Sequence, residues 1–123
     1  MIPTYDWGMA RLHFPRLIRV RVVGRSMAPT LNAGDWLLFR SWKSRRRNFN
    51  PEDLESLIGR IVLIQRSPND FMQIKRFTKI SAGGKVWVEG DNASASTDSR
   101  QWGGIEPAEV RAVLLFRYRK APK

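Results

Sequence analysis

Residues 20–35 read Val-Arg-Val-Val-Gly24-Arg25-Ser26-Met27-Ala28-Pro29-Thr30-Leu31-Asn-Ala-Gly34-Asp35, and this stretch constrains the fold more than any other. An alternating run enters a glycine and a serine, passes a Pro-Thr turn and a Gly-Asp turn, and meets a second apolar run. That is how a backbone presents one hydroxyl at the end of a strand. Gly24 lets another backbone approach closely, and Pro29 stiffens the segment just after the serine. Taken alone, the stretch is equally an ordinary strand-turn-strand with an incidental serine. Two further stretches, around Lys75 and across residues 90–103, weigh against that plain account.

The elements around it are short and punctuated. Ile18, Val20 and Val22 alternate with Arg19 and Arg21, the period of a half-buried strand, and residues 36–40 form the next one. Asn50-Pro51-Glu52-Asp53 is a helix start, with Asn as cap, Pro at the first helical position and acids at the positive dipole end; Gly59 ends that helix. Residues 60–66 read as a buried strand and 67–70 as a turn. Residues 71–80 and 86–89 form a hairpin closed by Ala82-Gly83-Gly84. Residues 90–104 carry no periodicity and read as a loop, and a final strand covers 110–118. The expected class is mainly β, small twisted antiparallel β-sheets with one short helix. With 123 residues, 42% hydrophobic and 27% charged, the chain is expected to form one domain over residues 1–123, its core at about 18–118.

Charge and composition narrow the functions. Twenty-two Lys and Arg against 11 Asp and Glu give a net charge of +11, which favours anionic partners. The densest basic run, Lys43 to Arg47, lies among Trp36, Phe39, Trp42 and Phe49; that mixture suits an acidic membrane face or stacked bases about equally. The absence of cysteine excludes thiolate nucleophiles and disulfides, and no metal or cofactor is expected. No run reaches the ~18 apolar residues that span a bilayer, and the first 19 residues match neither a signal peptide nor an anchor.

A serine nucleophile needs a base. The sole histidine, His13, sits in an irregular stretch and reads as a surface or packing residue. A lysine serves if burial lowers its pKa towards neutrality. Lys75 is the strongest candidate: in Phe71-Met72-Gln73-Ile74-Lys75-Arg76-Phe77, alternation places it with Phe71 and Phe77 while Arg76 points the other way. The same alternation is compatible with a solvent-facing lysine. In residues 90–103, Asp98 and Arg100 can pair to close the loop, and a short hydroxyl such as Ser96 can orient an amine.

These three stretches resemble the boxes of type I signal peptidases. Gly24 to Leu31 with Gly34-Asp35 resembles the nucleophile box, Ile74-Lys75-Arg76 the lysine box, and Gly90-Asp91-Asn92, Ser96, Asp98-Ser99-Arg100 and Trp102-Gly103 the C-terminal box. The resemblance implies a β fold of the signal peptidase and SOS-repressor peptidase type. It also implies a Ser-Lys dyad, with Ser26 as nucleophile and Lys75 as general base. Ser96 would orient the lysine, Asp98 and Arg100 would brace the site, and the Ser26 backbone N–H would serve the oxyanion. Gly24 stands where some members place a hydroxyl donor.

No membrane helix or long inserted β-domain is found, so the chain looks most like the small soluble branch that includes the nickel-type superoxide dismutase maturation proteases. The expected activity is removal of an N-terminal leader from a precursor bound as an extended peptide, with nickel-type superoxide dismutase as the expected substrate. The expected location is cytoplasmic, at most peripheral to a membrane through the loop from Trp42 to Phe49. A signal peptidase acting on exported proteins is the alternative. Two others carry less: a self-cleaving SOS protein, whose Ala-Gly bond should precede the serine whereas Ala33-Gly34 and Ala82-Gly83 follow it, and a basic nucleic-acid-binding β-module.

Overall fold

A computed structural model describes residues 16–42, 51–67 and 71–122. His13, the loop beyond Trp42 and most of the turn at 67–70 lie outside the described residues. The described elements are β1 (Leu17–Arg21), β2 (Trp36–Ser41), α1 (Pro51–Glu55), β3 (Ile61–Gln65), β4 (Met72–Ile80), β5 (Val86–Glu89), α2 (Ser99–Trp102) and β6 (Val110–Arg119). Short 3-10 turns occupy Ala93–Ala95 and Pro107–Glu109.

All strand pairs are antiparallel, in one six-stranded sheet of order β1-β2-β6-β3-β4-β5. The mainly β expectation holds, with two refinements. The strands form a single sheet, and a second short helix, α2, occupies the stretch that read as a plain loop. At four residues α2 is too short to show a period; its signal is a cap. Asp98 accepts from the Arg100 N–H at 3.1 Å, and Gln101 Oε1 accepts from the Asp98 N–H at 2.8 Å, which closes a capping box.

β3 explains the two-faced core. Four of its five residues are buried, and alternation sends them to opposite sides of the sheet. Val62 and Ile64 join Leu54 and Leu57, Phe77, Val86, Val88, Val110 and Val113. Ile61 and Leu63 join Leu37, Phe39 and Ala112, together with Val22, Met27 and Leu31. Met27 and Leu31 therefore anchor the segment that follows Ser26, each burial stabilising it by roughly 1.5–3 kcal/mol. Trp42, at the head of the loop expected to touch a membrane, is partly buried and packs against the first cluster.

The Gly34-Asp35 turn fastens the other end of that segment. Gly34 adopts φ +96°, favoured by glycine, and donates to Val22 O at 2.9 Å, extending the β1–β2 pairing past Arg21. Asp35 is buried, and its carboxylate accepts from the Asn32 N–H (2.8 Å), the Ala121 N–H (2.7 Å) and Arg117 Nη1 (3.1 Å). Arg117 also donates to Thr30 O at 3.3 Å. Burial pushes the Asp35 carboxyl up, but the two N–H donors and the Arg117 guanidinium outweigh it and hold the pKa below the usual carboxylate range.

One buried carboxylate thus ties the serine segment to β6 and the residues after it. Asp35→Ala is expected to lower the unfolding free energy by about 2–4 kcal/mol in urea denaturation, because partners are left unmet. The folded pKa is depressed, so the contribution of Asp35 is complete above its unfolded value and is lost as pH falls through the folded one. The stability gap between the wild type and Asp35→Asn should therefore narrow on acidification.

Candidate active site

Lys75 leaves the middle of β4 opposite Val62 of β3, and burial of that pair of strands takes it out of water: the residue is 4% exposed. Its Nζ donates to Ser96 Oγ at 3.0 Å. Ser96 Oγ in turn donates to Asp98 Oδ2 at 2.5 Å. Asp98, fully buried, also accepts from the Gly90 N–H (2.8 Å) and from Arg100 Nε (2.9 Å) and Nη2 (2.7 Å). Phe71, expected to share the apolar wall of Lys75, is 74% exposed. Val62 of β3 stands opposite Lys75, and Ser96 meets its amine.

The direction of this chain follows from the charges. Burial pushes the Asp98 carboxyl up, but the Arg100 side chain, the Gly90 N–H, the Ser96 hydroxyl and the Arg100 N–H together hold it well below the usual carboxylate range. An ionised carboxylate only accepts, so Ser96 must give it the hydroxyl proton and can offer Lys75 only a lone pair. Lys75 therefore directs one N–H at Ser96. In its neutral form the nitrogen lone pair lies away from Ser96. Burial lowers the Lys75 pKa from the usual lysine range; Asp98 opposes that shift and Arg100 adds to it.

Ser26 is half-buried, and with Lys75 it lines a cavity of ≈ 440 Å³ whose walls include Val20, Val22, Met27, Leu63 and Ile74. Among the described residues, no hydrogen bond joins Ser26 Oγ to Lys75 Nζ, and no acceptor takes the Ser26 N–H. The structure brings the two residues to one cavity, with the lysine proton engaged on Ser96.

Residues 90–92 hold the two halves together, a role the sequence reading did not give them. Asn92 N donates to Ser26 O at 2.8 Å and Asn92 Nδ2 to Arg25 O at 3.0 Å. The Asp91 N–H meets Met27 Sδ at 3.4 Å. The Asp91 carboxylate takes Arg76 Nε (2.9 Å) and Nη2 (2.6 Å) in a two-point pair, while Arg76 Nη1 donates to Gly59 O at 2.9 Å. Arg76, the neighbour of Lys75, thereby fixes β4 to the segment that grips the serine. Gly90 is the point of closest approach. A Cβ there would stand 2.7 Å from Ser26 O and closer still to Ser96 Oγ, so no side chain fits.

Gly24, in the place of a hydroxyl donor, has φ +86° with open space around it. The backbone conformation, rather than crowding, favours glycine there. Asp35 was noted only as half of a turn signal; a Gly-Asp pair before a strand was the one available hint of its staple role.

Lys75 supplies a test that needs no activity. Its folded pKa is lowered, so the unfolded chain binds more protons between the folded value and the ordinary lysine value. The native state gains stability as pH rises through that window and carries a burial penalty below it. Lys75→Met should remove this dependence and raise stability at neutral pH by about 1 kcal/mol or more, read from denaturant midpoints across pH.

No family model matches the chain. Among curated proteins, it is similar to mitochondrial inner membrane protease subunit 1 of Homo sapiens, at 31% identity over 110 residues. The match covers 76% of this chain and 64% of that protein. The protein of the same name from Mus musculus is 30% identical over the same coverage. The chain spans 64% of the length of these relatives, and what it shares sequence with is a subunit of a protease.

Proposed function

We propose that the protein is a serine endopeptidase of the signal peptidase I type, with Ser26 as nucleophile and Lys75 as general base. The observation that carries the reading is the chain Lys75–Ser96–Asp98–Arg100, its first three residues buried, with Lys75 lining the same cavity as Ser26. Neutral Lys75 takes the Ser26 proton as Oγ attacks the scissile carbonyl carbon. The tetrahedral oxyanion faces the Ser26 N–H, and the lysine ammonium returns the proton to the leaving amine. Water, deprotonated by the same amine, then releases the acyl group. Ser96 and Asp98 keep the lysine pointing one way throughout, and Arg100 keeps Asp98 ionised. With Gly24 offering no hydroxyl, the oxyanion relies on backbone donors and water.

The substrate is a precursor held as an extended peptide. Two backbone segments border the cavity: residues 20–24, which run from the end of the edge strand β1 to Gly24, and Met72 to Lys75 of β4, which pair with β3 but not with β5. An extended chain placed between them adds as a strand, and side-chain pockets read alternate residues. The product is a precursor freed of its N-terminal leader. Resemblance to the small soluble branch nominates the nickel-type superoxide dismutase precursor. The relatives, named for an inner membrane protease, favour a precursor met at a membrane instead. No described helix is long and apolar enough to cross a membrane.

A serine-reactive acylating probe, followed by mass mapping, should modify Ser26. Ser26→Ala and Lys75→Ala should each abolish cleavage, and the double variant should be no worse than either, because a nucleophile without its base is nearly inert. Activity should rise with pH as Lys75 loses its proton. Substantial cleavage by Lys75→Ala at neutral pH would falsify the dyad. Incubation with the dismutase precursor and with an Ala-x-Ala signal peptide, each product sequenced at its N-terminus, separates the two substrate classes.

A further inference from the structure

The charges around the cavity are one-sided, and we infer that it selects extended peptides bearing Asp or Glu close to the cleaved bond. The inference rests on the peptidase reading of this site. Arg21, Arg25 and Lys75 are the charged residues among those lining the cavity, and no acidic side chain lines it among the described residues. The nearby acids are already matched. Asp98 is held by Arg100 and Asp91 by Arg76, in two-point contacts, so neither offers its charge to a ligand.

Arg21 and Arg25 are both exposed, and neither meets an acid among the described residues. Beside the neutral polar Ser26, Gln73 and Thr97, much of the remaining wall is apolar, Val20, Val22, Met27, Leu63 and Ile74 among it, and apolar walls strengthen the field of the charges that line the same cavity. Position decides what that field reads. Arg25 immediately precedes Ser26 and lines the same cavity. Arg21 ends β1, beside the backbone along which the incoming strand would lie. A carboxylate on the peptide there is attracted in the bound and reacting states, and a lysine is repelled. Arginine suits the task, because its planar fork meets a carboxylate at two points and stays charged whenever Lys75 is neutral.

Three equimolar libraries of extended peptides test this, identical except that the positions flanking a randomised centre hold Glu, Gln or Lys. Cleavage is read by mass spectrometry. The expected order of kcat/KM is Glu, then Gln, then Lys, with roughly a tenfold span between the first and last. Raising salt from about 0.05 to about 0.5 M should compress that span, since exposed charges are screened. The double variant Arg21→Gln, Arg25→Gln should cut the three libraries at similar rates while Ser26 still reacts with the acylating probe. Equal rates on all three by the wild type at low salt overturn the charge preference and leave the peptidase reading standing. No cleavage of any library, with Ser26 untouched by the probe, overturns both.

Discussion

The buried carboxylate of Asp98 is the interaction on which the rest of the site depends. A lone ionised carboxyl in that position would be expelled or protonated, because desolvation disfavours charge. Here its oxygens meet the Gly90 N–H, the Ser96 hydroxyl, and the backbone and guanidinium of Arg100. Each contact also does something else. The Gly90 contact fixes the chain where it passes Ser26, the Ser96 contact sets the polarity at Lys75, and the Arg100 N–H contact starts α2. Local backbone shape, lysine orientation and local charge therefore cannot vary independently.

A second buried carboxylate manages the opposite end of the serine segment. Asp35 gathers Asn32, Arg117 and Ala121, while Met27 and Leu31 sit in the core between the two ends. The serine thus stands on a segment fastened at Gly90–Asn92, at two apolar anchors and at Asp35. Rigid placement of this kind reduces the ordering that a reacting group must otherwise undergo during attack.

Much of this was legible in the residues. Alternation in Ile18 to Val22, the Gly83-Gly84 hairpin and the apolar run of β3 placed the strands within a residue or two. Alternation left Lys75 either buried or solvent-facing, and it was the resemblance to signal peptidases that joined it to Ser26 and Ser96; the structure buries it and sets its Nζ 3.0 Å from Ser96 Oγ. What stayed hidden depends on contacts distant in sequence. Nothing local to Asp91 says that it will pair with Arg76, nor does Gly90 reveal the backbone it passes. Period-2 alternation put Phe71 beside Lys75, yet Phe71 precedes the β4 ladder, which begins at Met72, so the pattern had no neighbouring strand to bury it against. α2 read as loop, because a four-residue helix has too little length for its apolar spacing to speak and its Asp98–Gln101 cap went unread.

The strand order has a consequence for how such a molecule comes into being. β1 and β2 carry the Ser26 segment, β3 to β5 carry Lys75 and lead into Ser96 and Asp98, and no ladder joins these two groups directly. The strand between them is β6, the last of the six in sequence. A ribosome that has delivered every residue through Gly104 has made Ser26, Lys75, Ser96 and Asp98 and the Asn92 contact with the serine segment, but not the strand whose ladders join β2 to β3. A truncated product lacking β6 would therefore hold Ser26, Lys75, Ser96 and Asp98 with no ladder to set β2 in register with β3.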